Sequence, residues 1–437
     1  METSVIPVAE AASLPPVEKP RLISLDVFRG FNILIMIVVN CCGPGSFVQL
    51  QHSAWNGWTL TDLVFPSFLF ITGVSLTFSF ASRIKRETTG AESGNATLPA
   101  AGAKAGNATL PAAGAKAGNA TLPAAGASAG NAALPAAGAW RLLPHILRRS
   151  ATIFAIGLLI NAFPHYHLAT WRIPGVLQRI AICYLVGSLL YLWTGSRTRW
   201  AVIGGLLLGY WILMRYVAVP GFGVPTVNIP LLDPDRNLAA WLDRSLMMGH
   251  LYEHVRDPEG LLSTLPALAN TLFGVAAGEW IRTLRTDSSR LLRRLLSVGL
   301  ACFIAGELWG MSFPINKKLW TSSYVLLTTG LAMMTLAACY WLMDVKRVRG
   351  RWTVIPLVFG TNCIFAYSLS EFAAITLVVS KCHIDGQLMN FKDAFNAFTF
   401  DNIPWPQWSS LGYALFYTAF CWFITWLLYR RKVFLKV

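Results

Sequence analysis

The chain has 437 residues, 54% of them hydrophobic and only 13% charged, with a net charge of +15 and a mean hydropathy of +0.50. A soluble domain is nearer a quarter charged, and a disordered chain does not carry 25 Phe and 17 Trp, so both classes are excluded. The basic residues do not form a nucleic-acid footprint. They sit in short clusters between apolar runs, such as Arg83/Lys85/Arg86, Arg148/Arg149, Arg293/Arg294, Lys346/Arg347/Arg349/Arg351 and Arg430/Arg431/Lys432, which is the charge pattern that orients membrane helices. The expected fold class is therefore all-α, a polytopic transmembrane helix bundle whose partner is the lipid bilayer.

Residues 1–20 hold Glu2, Glu10, Glu18 and two adjacent prolines but no basic n-region. They read as a cytoplasmic tail, not a cleaved signal peptide. A spanning helix needs roughly 20 mostly apolar residues. Windows of that kind centre on 24–43, 59–81, 147–163, 174–194, 200–219, 260–281, 294–313, 319–343, 353–379 and 409–429, about ten spans. Basic residues favour one side of that arrangement, and the positive-inside rule puts both termini in the cytoplasm. Residues 21–437 then form one transmembrane domain, interrupted at 94–139 by a 12-residue repeat (GNATLPAAGAKA and variants) with too few large apolar residues to bury a core. It reads as a flexible cytoplasmic insert, where its sequons at Asn95, Asn107 and Asn119 would meet no glycosylation machinery.

The eight cysteines have no CxxC or finger spacing and mostly lie inside apolar runs, so they read as small hydrophobes, neither a disulfide framework nor a zinc site. His250 and His254 stand at i, i+4, but there is no HExxH and no evident third ligand, so no metal is expected. The sequence has no Walker A, no GxGxxG opening a helix and no GxSxG elbow, its Gly126-Ala-Ser-Ala-Gly130 string being part of the low-complexity repeat, which disfavours ATP-driven transport and a serine hydrolase.

Ionisable groups at membrane depth are costly and therefore candidates for function. In span 1, Asp26 and Arg29 share a helix face and can pair, while Asn40 lies about three turns farther on. A Gly43-Pro44-Gly45 break follows. His52 then sits among Trp55, Asn56, Trp58 and, at the entry to span 2, Asp62. Histidine can take a proton at neutral pH, a nearby carboxylate can orient its ring, and an amide such as Asn40 can donate to a developing oxyanion. Further polar sets recur at span edges: Arg172 with Gln178 and Arg179, Asp257 with Glu259, Lys317/Lys318 with Tyr324, and Asn362 with Tyr367, Ser370 and Glu371. Helix caps explain some of these. So many polar groups directed into one bundle imply a polar cavity opening outward.

The segments RLISLDVFRG, QHSAWNGWTLTDLVFP, RIPGVLQR, DPEGLL, NKKLWTSSYVL and LLYRRKVF together resemble the heparan-α-glucosaminide N-acetyltransferase family and its bacterial homologues. The match runs in order along nearly the whole chain apart from the insert. The resemblance implies transfer of an acetyl group from cytosolic acetyl-CoA to the amine of a terminal glucosamine, or related amino sugar, on the outer face. It also implies a bacterial homologue without the animal lumenal domain, multi-pass in the inner membrane, and it is compatible with a homodimer.

The family's active-site histidine falls at His52, as base or acetyl carrier, and its asparagine at Asn40, with Asp62 placed to orient the ring. The donor phosphates call for cationic partners, assigned to Arg29, Arg172 and Arg179 with Gln178 beside them. Trp55, Asn56, Asp257 and Glu259 are assigned to the acceptor. Two other readings stay open: O-acylation of an envelope glycan, and transport of a sugar or lipid precursor.

Overall fold

The computed structural model describes residues 22–43, 45–94, 136–348, 350–384, 387–400 and 402–435. The N-terminal tail, most of the repeat insert with its three sequons, and Pro44 lie outside the described residues. The described chain is almost wholly helical: α1 Ile23–Cys41, α2 Val64–Gly94, α3 Ala136–Ala162, α4 Val176–Trp193, α5 Ser196–Tyr216, α6 Leu238–Met247, α7 Thr264–Thr283, α8 Ser288–Gly310, α9 Ser322–Tyr340, α10 Val354–Thr361, α11 Cys363–Val379, α12 Phe391–Thr399 and α13 Pro406–Arg430. One antiparallel hairpin, β1 Lys381–Ile384 with β2 Gln387–Asn390, precedes α12.

Each apolar window in the sequence coincides with a long helix, or with the pair α10/α11, which bends by 80° at Asn362. Among the described residues, six helices are long and apolar enough to cross a membrane, or seven if that pair is one span. Helices α5, α7 and α8 have 21, 20 and 23 residues but fall short on apolarity. Burial explains α7. It is enclosed by protein along most of its length, so polar Asn270 and Thr271 face neighbours and not lipid. Asn270 accepts from Trp320 Nε1 at 2.9 Å and donates to Thr329 Oγ1 at 2.9 Å, tying α7 to α9 and the turn before it.

Without a hydrophobic driving force between helices, close backbone approach holds a membrane bundle together, and small residues permit it. The α2–α7 crossing depends on two glycines. A Cβ on Gly73 would lie 1.9 Å from the Thr271 carbonyl oxygen, and one on Gly274 would lie 2.0 Å from that of Phe70. The α1–α10 crossing is equally tight, with a Gly30 Cβ falling 1.7 Å from the Pro356 carbonyl oxygen. These crossings set α7 against α2 and α10 against α1, and the turn from α1 to α2 joins the two pairs at one end.

Gly274→Ala should therefore lower stability by about 1–3 kcal/mol through overpacking, read as a lower melting temperature in detergent. Gly205→Ala on α5, where an added Cβ meets nothing within 4 Å, should leave the melting temperature unchanged.

Candidate active site

Asp62 organises the end of the bundle between α1 and α2. It lies in the short 3-10 turn Leu60–Leu63 that runs straight into α2, and it is fully buried. One carboxylate oxygen accepts from the backbone N–H groups of Ser53 and Thr59, both at 3.1 Å, and from Thr59 Oγ1 at 3.2 Å. The other faces His52 Nδ1 at 2.8 Å and Lys317 Nζ at 3.3 Å. The carboxylate thus folds the loop back upon itself and fixes the imidazole at the same time. The His52 side chain is 52% exposed, so the ring is held at one edge and open at the other.

Lys317 comes from the turn between α8 and α9, and its Nζ is 2.8 Å from His52 Nδ1 and 3.4 Å from Nε2. That turn is clamped to the His52 loop by the Gly57 N–H to Ile315 O bond at 2.8 Å and the Asn316 amide to Asn56 Oδ1 at 3.2 Å. Tyr324, at the start of α9, donates to the Asp62 carbonyl. Burial pushes the Lys317 ammonium below the ordinary lysine range, with Asp62 pulling the other way. One nitrogen, Nδ1, therefore faces a carboxylate and an ammonium at equal distance. Nδ1–H donated to Asp62 leaves the lone pair on Nε2, whereas Nδ1 accepting from Lys317 puts the proton on Nε2.

His52 and Asp62 open onto a cavity of about 710 Å³ that also takes in Asn40, Trp55, Arg172, Glu259, Lys317, Lys318, Tyr367 and Glu371. Its far wall is an ionic shelf. Arg172 holds Asp257 through two bonds of 2.8 and 2.9 Å and Glu259 through one of 2.5 Å, with the Tyr252 ring 4.6 Å beneath the guanidinium. Burial by itself would lower the Arg172 pKa; the two carboxylates outweigh it and raise it. Lys318 pairs with Glu253 at 3.0 Å. Although burial works against it, Lys318 and Arg256 hold the Glu253 carboxyl below its usual range. Among the described residues, no group of three or more His, Cys, Asp or Glu is placed to hold a metal ion.

The sequence assignments separate in space. Asn40, His52, Asp62, Trp55, Arg172 and Glu259 line the one cavity, while Asp257 and Asn56 stand behind it as supports. Arg179 is buried away from the cavity, bonded to Pro258 O, Gly260 O and Ser263 Oγ under the Trp320 ring, and Gln178 is buried beside it. Arg29 belongs to a second cavity of about 160 Å³, lined also by Ser75, Arg149 and apolar side chains of α1, α2, α3 and α4. Met36, Phe68, Val176 and Tyr367 line both cavities. Among the residues the sequence left without a role, Lys317 lies nearest to His52. Its NKKLW motif was visible, but no local signal relates it to a histidine 265 positions away.

Residues 21–110, which contain Asn40, His52 and Asp62, match the family model described as "Heparan-alpha-glucosaminide N-acetyltransferase, catalytic". The chain is 28% identical to the human heparan-alpha-glucosaminide N-acetyltransferase over 406 residues, covering 80% of this chain and 52% of the human protein. It is 29% identical to the mouse protein of that name over 405 residues, covering 79% and 53%. The chain thus spans about half the length of the curated relatives it matches, and the resemblance read from the six sequence motifs is borne out.

Beneath the ionic shelf, Asp243 of α6 accepts from the Leu261 N–H at 3.0 Å, and burial pushes its carboxyl up to about 6. A raised carboxyl pKa favours the protonated fold, so its contribution is present below the unfolded value near 3.8 and is lost as pH rises through 6. Wild-type melting temperature should accordingly fall relative to Asp243→Asn between about pH 4 and pH 6. A constant difference across that range would show that Asp243 does not titrate there.

Proposed function

We propose that the chain is a multi-pass membrane N-acetyltransferase that moves an acetyl group from acetyl-CoA to the amine of a terminal glucosamine or related amino sugar. The observation that carries this reading is the cavity on which an oriented histidine, His52 on Asp62, and an amide donor, Asn40, both open. A thioester and an amine need three things there: a base, an oxyanion donor and a leaving-group acid. The relatives' names supply the substrate class.

In this reading the acceptor nitrogen attacks the thioester carbonyl carbon and forms the C–N bond. His52 Nε2 takes the proton released by the nitrogen while Asn40 Nδ2 donates to the oxyanion. The tetrahedral species then collapses and the C–S bond breaks. The imidazolium returns its proton to the thiolate, giving CoA thiol and the amide. Asp62 keeps Nε2 as the basic nitrogen throughout and stabilises the imidazolium. Lys317 brings positive charge to the same edge of the ring, which limits how long that imidazolium persists.

The two cavities suggest how a cytosolic donor reaches His52. With ten spans and both termini in the cytoplasm, the smaller cavity occupies the inner half of the bundle. Arg149 lines it and leaves its Nε without a hydrogen-bond partner, and Arg29 lies across from it. Their guanidinium groups suit the donor's phosphates. The shared residues Met36, Phe68, Val176 and Tyr367 then form an apolar neck for the pantetheine arm.

The test is thiol release from acetyl-CoA by the purified full-length protein, with and without glucosamine. Wild type should release thiol in a glucosamine-dependent way and form an alkali-stable amide. His52→Ala should abolish that release, and Asn40→Ala should lower kcat about 10²–10³-fold, as expected for loss of an oxyanion donor. No release from wild type would sink the transferase reading and favour the transporter. An alkali-labile product would mean O-acylation instead.

A further inference from the structure

The charges that line the larger cavity are matched with one exception. Asp62 has Lys317, Glu253 has Lys318 and Arg256, and Glu259 has Arg172. Glu371, on α11 one turn beyond Tyr367, has only the Asn40 amide, Nδ2 to Oε1 at 3.3 Å, and no cationic partner among the described residues. A carboxylate inside a helix bundle is costly without a counter-ion. Along this cavity the other three carboxylates each have such a counter-ion. Glu371 alone among them faces the cavity with a side left for a cationic ligand.

We propose that Glu371 is the specificity-determining residue that receives the acceptor's ammonium group. The proposal deepens the acetyltransferase reading, on which it rests for the choice of an amino sugar as acceptor. Asn40 supplies the geometry. One of its amide hydrogens reaches Glu371, and the other remains for a carbonyl oxygen. An ammonium on Glu371 thus docks beside the atom that holds the thioester carbonyl, and it becomes the nucleophile once it gives one proton to the Glu371 carboxylate, which passes it to solvent, while His52 takes the second on attack. Binding breaks no bond.

The charge also accounts for release. Acetylation turns a cationic amine into a neutral amide, so the product loses the interaction that held the substrate. A charge-assisted hydrogen bond is roughly twice as strong as a neutral one, and a neutral sugar of the same shape leaves Glu371 uncompensated. Discrimination should follow protonation. An amine of this type loses its proton near pH 8, by analogy with α-amino groups at about 7.7–8.0.

The experiment is equilibrium binding to the detergent-solubilised full chain, comparing glucosamine, glucose and N-acetylglucosamine at pH 7 and pH 9. Wild type at pH 7 should bind glucosamine about tenfold tighter than the two neutral sugars, and the preference should shrink at pH 9. Glu371→Gln, which keeps shape and amide contact but not charge, should bind all three alike. Glu371→Asp should retain part of the preference and covers the case in which the Gln variant fails to fold.

Three results would overturn the assignment: a pH-independent wild-type preference, a preference that survives in Glu371→Gln, or no preference in wild type. Binding with this selectivity but without thiol release from acetyl-CoA would instead sink the transferase reading and leave Glu371 as an ammonium site.

Discussion

The structure depends on one buried carboxylate. Asp62, in the turn that leads into α2, closes the loop that leaves α1 and holds the histidine, and it has no exposed surface of its own. A buried charge is tolerated only when its lone pairs are satisfied. Here that requirement draws Ser53, Thr59, His52 and Lys317 to one point. Satisfying the carboxylate and building the site are the same event, so a change that loosens either would loosen both.

The bundle supports that point from below by close helix packing. Glycines at the α2–α7 and α1–α10 crossings let backbones meet where a methyl group would collide. These crossings fix α2 under Asp62, and they fix α7 beneath the turn that carries Lys317 and Trp320, through the Asn270 to Trp320 bond. The same packing leaves two cavities in line along α1, one with Arg29 and Arg149 and one with Asn40 and His52, joined at Met36, Phe68, Val176 and Tyr367.

Much of this was legible locally. Asn40, His52 and Asp62 lie within 23 consecutive residues, and a turn between two helices brings such residues together whatever the rest of the chain does. The ionic shelf was half legible. Arg172 and the Asp257/Glu259 pair each stood out as polar groups at a span edge, but their mutual contact spans 85 positions. Arg179 looked equally suited to a donor phosphate. The fold instead buries it beneath Trp320, away from the cavity, where backbone carbonyls and Ser263 take up the donors of one nitrogen, Nη2. A sequence records that an arginine is present at membrane depth, not whether it faces a cavity or is enclosed by protein.

What the sequence by itself determined is the class of molecule and the position of its helices. Hydrophobic run length and basic clusters act over one helix, and their signal is complete within 20 or so residues. What only the tertiary structure decided is which charges meet. Lys317 reached His52, Glu371 reached Asn40 and has no cationic partner among the described residues, and the helix bearing Asn270 proved to be enclosed by protein. Those outcomes depend on which helix faces cross and how closely. That is set by side-chain volume summed over several helices, a quantity that no single stretch of the chain contains.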